Sequence, residues 1–325
     1  MQGLDRRTFA LGLAAATGMA HAQGAGSYPD RPVRAIVPFV PGGNADVTAR
    51  LLAQALTEKL GQPFVVENKG GAGGLLGGTA VARAAPDGYT AMFGTGAPIF
   101  ASAVLAGAKA PYTLRDLQPV GRISTVPLVL LTHPASPFQR FEDLAAAARK
   151  QPDAIRFGHA GNGTTNHVAG LQLQRALGTR FIIAPYKGSA AAVQDLLAAQ
   201  IDCSAVEITA CIQFITSGRL RALAIIGDDR VQAAPEVRTL EQIGVKGVDV
   251  TTFAGVMLPR NVPQAIVDRL ASAMEQVMAE PAFRDRLQQL GGTPAPLRPQ
   301  AFLQFLNGQE EKYRRLVQEG LLQPE

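Results

Sequence analysis

The sequence predicts an α/β protein of two lobes, each a mainly parallel sheet flanked by helices. Two runs of alternating strands and helices carry this prediction. The first run covers residues 33–94 in the order βαβαβ, and the second starts near Pro127 and continues to residue 227. Because strands joined by crossover helices lie parallel in one sheet, we expect each run to form its own sheet. A chain of 325 residues is long enough for two such units.

Short apolar and β-branched segments define the strands of the first run. We place these strands within residues 33–39, 63–68 and 86–94. The first helix carries apolar residues at helical spacing and ends at Gly61, namely Val47, Leu51, Leu52, Leu56 and Leu60. A second helix is expected within the glycine-rich residues 70–85.

The second run repeats the alternation, and three helices close the chain. Its strands are expected within residues 126–134, 154–161, 181–186, 201–207 and 221–227, and its helices within 141–150, 164–178, 189–200 and 209–217. A further strand lies within residues 248–259, followed by helices at 263–280, 281–291 and 299–320.

Lobe 1 is therefore expected to contain residues 28–128 and 252–325, and lobe 2 residues 129–251. A chain that crosses twice between lobes leaves a cleft, which is where ligands usually bind. Two lobes of this kind can also close around a ligand by a hinge.

The first 22 residues are typical of an export signal. Arg6 and Arg7 precede a short apolar run, and Ala20-His21-Ala22 supplies a small-x-small cleavage pattern. The paired arginines also resemble a twin-arginine signal. An anchor helix is the alternative, but the apolar run is too short to span a bilayer. We therefore expect an exported, soluble protein from which residues 1–22 have been removed.

Charge and cysteine content limit which partners and which disulfides are expected. The formal net charge is +5, but no run of Lys and Arg exceeds two residues, so nucleic acid is not expected as a partner. Cys203 and Cys211 could pair in an oxidising compartment, although a spacing of eight residues across a strand and the next helix gives no strong reason for it.

The junction Pro41-Gly42-Gly43-Asn44-Ala45-Asp46 follows the first strand, which ends near Phe39, and opens the first helix. Glycines let the backbone approach a ligand, and we expect Asn44 to be the N-cap and Asp46 to lie in the first turn. The unpaired N–H groups of a helix N-terminus bind anions. A well-capped turn without any ligand is the alternative interpretation.

Two junctions in the second run repeat this arrangement. Residues 161–165 (Gly-Asn-Gly-Thr-Thr) and 186–189 (Tyr-Lys-Gly-Ser) each follow a strand and open a helix. Together the three junctions predict a clamp that holds carboxylate oxygens mainly with backbone N–H groups, without burying an opposing charge. His167 could bind the anion or cap its helix, Lys187 could pair with a carboxylate or be solvated, and Glu207 could bind a ligand donor or cap the next helix.

Residues 70–78 (GGAGGLLGG) resemble a dinucleotide-binding fingerprint, but the spacing is one residue too long and the segment follows the second strand rather than the first. Close packing of a helix on the sheet is the favoured interpretation. No catalytic or metal-binding motif is found, so we expect no cofactor, no metal and no enzymatic activity. Two alternatives to a non-enzymatic binding protein stay open. One is an exported oxidoreductase with a nucleotide cofactor, and the other is a sensing module for a membrane signalling partner.

Several segments together resemble one known family. Residues 28–74, 84–90, 161–170, 184–190 and 218–225 look like the Bug family, the extracytoplasmic substrate-binding proteins of tripartite tricarboxylate transporters (TctC-like). The resemblance covers nearly the whole mature chain. It implies a type II periplasmic-binding-protein fold that closes on a small carboxylate, and delivery to a membrane permease of one large and one small subunit. We expect a monomer.

The resemblance also implies a site. Residues 42–46 and 161–165 would hold one carboxylate, partly through ordered water, while residues 95–98 and the loop after Glu207 would select the rest of the ligand. The expected ligand-binding residues are Phe39, Pro41, Gly42, Gly43, Asn44, Asp46, Thr95, Gly96, Ala97, Gly161, Asn162, Gly163, Thr164, Thr165, His167, Tyr186, Lys187, Gly188 and Glu207.

The selecting loops depart from the usual family pattern. This chain has Ala205-Val206-Glu207 where many relatives carry an aromatic residue, Asp and Asn, and residues 94–100 lack the polar residues often found there. Dicarboxylates, amino acids and aromatic carboxylates therefore stay open as ligands. The less polar loops lean towards a ligand with an apolar or aromatic body.

Overall fold

The computed structural model describes residues 28–227, 231, 233–250 and 252–323. The expected export signal, residues 1–22, lies outside the described residues. Within these ranges the strands are β1 (Val33–Val37), β2 (Phe64–Asn68), β3 (Thr90–Gly94), β4 (Leu117–Val126), β5 (Leu128–Thr132), β6 (Arg156–His159), β7 (Ile182–Pro185), β8 (Cys203–Glu207), β9 (Arg221–Ile226), β10 (Thr252–Pro259) and β11 (Thr293–Leu297).

The α-helices of the same ranges are α1 (Asn44–Leu60), α2 (Leu75–Ala82), α3 (Ser102–Ala106), α4 (Phe141–Lys150), α5 (Thr165–Leu177), α6 (Ser189–Leu197), α7 (Ile208–Thr216), α8 (Gln264–Ala279), α9 (Pro281–Gln289) and α10 (Pro299–Gln318). None of these helices is both long enough and apolar enough to cross a membrane.

The strands form two sheets, one in each lobe. The first has six strands in the order β11-β4-β10-β3-β1-β2, and the second has five in the order β7-β6-β8-β5-β9. The chain passes from the first sheet to the second between β4 and β5, and returns after β9. The two-lobe α/β class predicted from the sequence is thus confirmed.

Both sheets are mixed, so the expectation of mainly parallel sheets is wrong in that detail. Among the named strands of the described residues, parallel pairing joins only β1 to β2 and β3, and β6 to β7 and β8, where crossover helices return the chain in the same direction. The strands at which the chain leaves or enters a lobe, β4, β5, β9 and β10, run antiparallel to their neighbours.

Two strands and one short helix were not predicted. β4 contains Pro119 and Gly121, which disfavour a strand, and the β4–β10 register shifts beside both residues. β11 contains Pro294 and Pro296, which are tolerated because β11 is the edge strand of its sheet. The helix α3 is only five residues long and is reached through residues 97–101, which are already helical.

The carboxyl ends of the parallel strands meet between the lobes. Loops after β1 and β3 come from the first lobe, and loops after β6, β7 and β8 come from the second. Each sheet is anchored behind these loops by an apolar core, with Ile36 and Met92 buried in the first lobe and Phe157 and Leu173 in the second. The rigid cores therefore fix the positions of the loops.

Candidate functional site

Five loops enclose a small chamber between the lobes. Its lining residues come from the loops after β1, β3, β6 and β7, from the end of β8 and from the first turns of α1 and α5: Phe39, Val40, Gly43, Asn44, Ala45, Thr95, Ala97, Ala160, Thr164, Thr165, Asn166, Ser189 and Glu207. Eight of the nineteen predicted site residues are in this lining. The sequence prediction missed Val40, Ala45, Ala160, Asn166 and Ser189.

On the first-lobe side the chamber is bounded by the N-terminus of α1. Gly42 adopts φ +86°, a conformation that favours glycine, and turns the chain into the helix. Gly43 is the N-cap, so the expectation that Asn44 takes this role is wrong. The first intrahelical bond runs from the Val47 N–H to the Gly43 carbonyl at 3.0 Å. The N–H groups of residues 44–46 precede it and are therefore free of intrahelical partners.

The Asp46 carboxylate holds this turn from inside rather than lining the chamber. It accepts hydrogen bonds from the Gly42 N–H (3.0 Å), from Asn68 Nδ2 (2.9 Å) and from Arg50 (2.9 Å). Burial alone would raise the pKa of Asp46, but the hydrogen bonds from Arg50, Gly42 and Asn68 outweigh it and lower the pKa. Asp46 therefore stays ionised and keeps the turn in shape.

Asn44 contributes an unpaired donor. Its Oδ1 accepts from Thr209 Oγ1 of the second lobe at 2.7 Å and from Thr48 Oγ1 at 3.3 Å. Its Nδ2 is buried and has no hydrogen-bond partner among the described residues. A buried N–H without an acceptor is costly, so this amide is poised to donate to a ligand oxygen.

On the second-lobe side the N-terminus of α5 faces the same chamber. Thr164 is the N-cap, and its Oγ1 accepts from the His167 N–H at 3.3 Å. The Thr164 carbonyl accepts the first intrahelical bond, from Val168 at 3.0 Å. The N–H groups of Thr165 and Asn166 therefore have no intrahelical acceptor. Two helix N-termini, one from each lobe, thus supply unpaired N–H groups to a single chamber.

Glu207 ends β8 and is buried in the chamber wall. Its Oε2 accepts hydrogen bonds from Ser189 Oγ at 2.6 Å and from Asn166 Nδ2 at 3.2 Å. Burial raises the pKa of the Glu207 carboxyl, and these two hydrogen bonds oppose that effect without reversing it. The side chain does not cap α7.

An outer groove lies beside the chamber and shares Phe39 and Ala160 with it. It is lined by Phe39, Ala160, Gly161, Asn162, Pro185, Tyr186, Lys187 and residues 71–74. Tyr186 donates its hydroxyl to Asp195 at 2.6 Å, and Lys187 is exposed. Lys187 thus lines the outer groove rather than the chamber, and its two predicted roles, pairing with a carboxylate or being solvated, stay predictions.

The other predicted residues shape the loops. Pro41, Gly96, Gly163 and Gly188 lie within the turns and do not line the chamber. His167 Nδ1 accepts from the Gly163 N–H at 3.2 Å, so His167 supports its own loop.

His167 also stacks on His159, with ring centroids 4.4 Å apart. Burial and the neighbouring His167 lower the pKa of His159 to about 3, so His159 is neutral at physiological pH. The described residues contain no group of three His, Cys, Asp or Glu side chains that could hold a metal ion. Cys203 and Cys211 are both buried and free.

The glycine-rich residues 70–78 are used for close packing. A Cβ on Gly77 would lie 2.6 Å from Pro38 Cβ, and one on Gly73 would lie 2.6 Å from the Asn162 carbonyl oxygen of the second lobe. The packing interpretation of this segment is therefore supported, and its contacts extend across the cleft. Thr165 and Thr252 join the lobes as well, through hydroxyls 2.6 Å apart.

Residues 48–322 match the sequence model of the tripartite tricarboxylate transporter family receptor. The chain belongs to this receptor family. It is 34% identical over 323 residues to a protein encoded in the tcbD–tcbE intergenic region of Pseudomonas sp. strain P51, covering 98% of this chain and 96% of that protein. The Bug-family resemblance stated from the sequence is confirmed.

Solved structures of related receptors share the two-lobe fold. The periplasmic binding protein BugD superposes with a TM-score of 0.86 at 35% identity, over 91% of this chain and all of BugD. MatC from Rhodopseudomonas palustris, solved with bound malate, gives a TM-score of 0.82 at 30% identity, over 89% of this chain and all of MatC.

Proposed function

We propose that the chain is a periplasmic receptor that binds a small organic carboxylate in the interlobe chamber and delivers it to a two-subunit permease of the tripartite tricarboxylate type. One observation carries this proposal: unpaired N–H groups at the N-termini of α1 and α5 face one chamber from opposite lobes. Such groups, together with the helix dipoles, favour an anion.

The carboxylate is held by neutral donors. Of the described residues that line the chamber, none is a lysine or arginine. A hydrogen bond to a charged group contributes about 1.5–3 kcal/mol, so a few backbone N–H groups and Asn44 Nδ2 suffice for useful affinity. Membership of the receptor family and the malate bound to MatC support the same ligand class.

Residues 1–22 direct export in this proposal and are then removed. A protein recovered from the periplasm is expected to begin at Gln23, which N-terminal sequencing or intact mass measures directly. A mature chain that still carries Arg6 and Arg7 would contradict cleavage at this place.

The ligand class is tested by a thermal-shift screen of organic acids on protein that has been unfolded, dialysed and refolded to remove carried-over ligand. A carboxylate present at about 100 times its Kd is expected to stabilise the protein by about 2.7 kcal/mol. The matched control is the carboxamide of each hit, which lacks the charge and should not stabilise. Absence of stabilisation by any carboxylate would overturn the proposal.

A further inference from the structure

We propose that Glu207 selects the ligand by pairing with a positively charged nitrogen, so that the receptor takes a small amino acid rather than a dicarboxylate. This inference rests on the proposed function and specifies its ligand class. It arises from a conflict of charge: Glu207 is the one ionisable side chain among the described residues that line the chamber. An uncompensated acid beside a carboxylate site would repel every anionic ligand.

The hydrogen bonds around Glu207 suit its ionised form. Asn166 Nδ2 also donates to the Ala205 carbonyl at 2.8 Å, and a carbonyl can only accept, so the orientation of the Asn166 amide is settled. Glu207 Oε2 must therefore be the acceptor in its contact with Asn166. Ser189 Oγ points to the same oxygen. Two donors on one carboxylate oxygen stabilise the negative charge.

The protein does not complete this ion pair. Within the described part of the chain, no Lys, Arg or His forms a salt bridge with Glu207. Burial accordingly raises the pKa of Glu207, because a buried charge without an opposite charge is unfavourable. A cationic group on the ligand would supply the missing partner and restore the ionised form.

The carboxylate donors and Glu207 are close enough for one small molecule. Thr209 lies two residues after Glu207, and its Oγ1 donates to Asn44 Oδ1 at 2.7 Å. Asn44, with its unpaired Nδ2, and Glu207 both line this small chamber. An amino acid offers a carboxylate to the former and an ammonium group to the latter.

The remaining wall favours a ligand without a second charge. It is mostly apolar, and Thr95 adds a hydroxyl but no charge; the apolar residues are Phe39, Val40, Ala45, Ala97 and Ala160. A second carboxylate would find Glu207 or this apolar surface, whereas an uncharged side chain would fit. The geometry therefore points to a small neutral amino acid.

Matched ligand pairs test this inference on refolded, ligand-stripped protein by isothermal titration calorimetry. Each pair is an L-amino acid and its deaminated acid, such as alanine with propionate or phenylalanine with 3-phenylpropionate. The best amino acid is expected to bind roughly 10- to 100-fold more tightly than its deaminated partner, the range for one charge-assisted contact. Glu207→Gln should remove most of this difference, because it weakens binding of the amino acid and strengthens binding of the deaminated acid, which Glu207 repels.

Glu241→Gln, an exposed glutamate outside the chamber, is the matched control and should retain the wild-type preference. If wild-type protein binds deaminated acids or dicarboxylates as tightly as amino acids, the inference is overturned while carboxylate binding stands. If neither member of any pair binds, the proposed function fails too. The comparison of pairs on the wild-type protein decides the matter even if Glu207→Gln does not fold.

Discussion

The contact between the lobes leaves no room for a side chain at Gly73. Gly73 lies in the first lobe with φ +59°, and a Cβ there would be 2.6 Å from the Asn162 carbonyl oxygen of the second lobe. Ordinary van der Waals contacts begin at 3.4 Å, so a Cβ at Gly73 would be 0.8 Å too close to the Asn162 oxygen. The residue Ser102, whose Oγ would be 3.2 Å from this Cβ, can rotate away, but the Asn162 backbone cannot.

We therefore expect Gly73→Ala to disfavour the closed state. Overpacking of this kind costs about 1–3 kcal/mol, which corresponds to a loss of ligand affinity of roughly 5- to 150-fold. The positive φ adds strain of about 1 kcal/mol. This strain is present in both the open and the closed state, so it lowers the free energy of unfolding but cancels in ligand binding. Calorimetric titration and urea unfolding measure the two effects separately.

Gly61→Ala is the matched control. Gly61 has φ +73° at the far end of α1, and a Cβ there would meet nothing within 4 Å. This variant should lose similar stability but keep the wild-type affinity. The reasoning would be refuted if Gly73→Ala bound ligand as tightly as the wild type, or if both variants lost affinity equally.

Three further predictions concern the chamber and its surroundings. Gly43 has φ −85° and ψ 174°, and a Cβ there would lie 3.9 Å from the Ala190 nitrogen, so Gly43→Val should fit the backbone. The free energy of unfolding should change by about 1 kcal/mol or less, and ligand binding should weaken at least about tenfold because the side chain fills the chamber. Wild-type affinity in this variant would remove the turn from the site. Asn44→Ala removes the unpaired Nδ2 donor, so calorimetry should show carboxylate binding weakened roughly 10- to 100-fold. An unchanged Kd would show that Nδ2 does not reach the ligand. The pKa of His159 is lowered to about 3 from its usual 6.5, so the unfolded chain takes up a proton as pH falls below 6.5 while the folded protein does not. The free energy of unfolding, measured with urea, should therefore fall by about 2 kcal/mol between pH 7 and pH 5, and His159→Asn should lack this decrease. Equal pH dependence in the two proteins would contradict the assignment.

Local sequence signals located two of the junctions that border the candidate chamber, but not their detailed geometry. The junctions after β1 and β6 were found because glycine and hydroxyl residues follow apolar strands, and this pattern depends only on neighbours in the chain. The N-cap of α1 was misplaced by one residue, from Gly43 to Asn44. Asn is the more frequent N-cap, and only the backbone angles of two successive glycines decide between these positions.

Tertiary contacts account for what the sequence left undecided. The alternatives for Lys187 and for Glu207 could not be separated without knowing which side chains face the chamber. The contact of Gly73 with Asn162 joins residues 89 positions apart in different lobes, so no local pattern reveals it. Asn166 was missed because its role depends on the positions of Ala205 and Glu207, which follow about 40 residues later.

The most direct test of the account is a crystal structure of the mature protein with a carboxylate that the thermal-shift screen identifies. The account predicts carboxylate oxygens about 2.7–3.2 Å from backbone nitrogens in the first turns of both α1 and α5. A ligand carboxylate that contacts only one of these helices, or that lies outside the chamber, would contradict it.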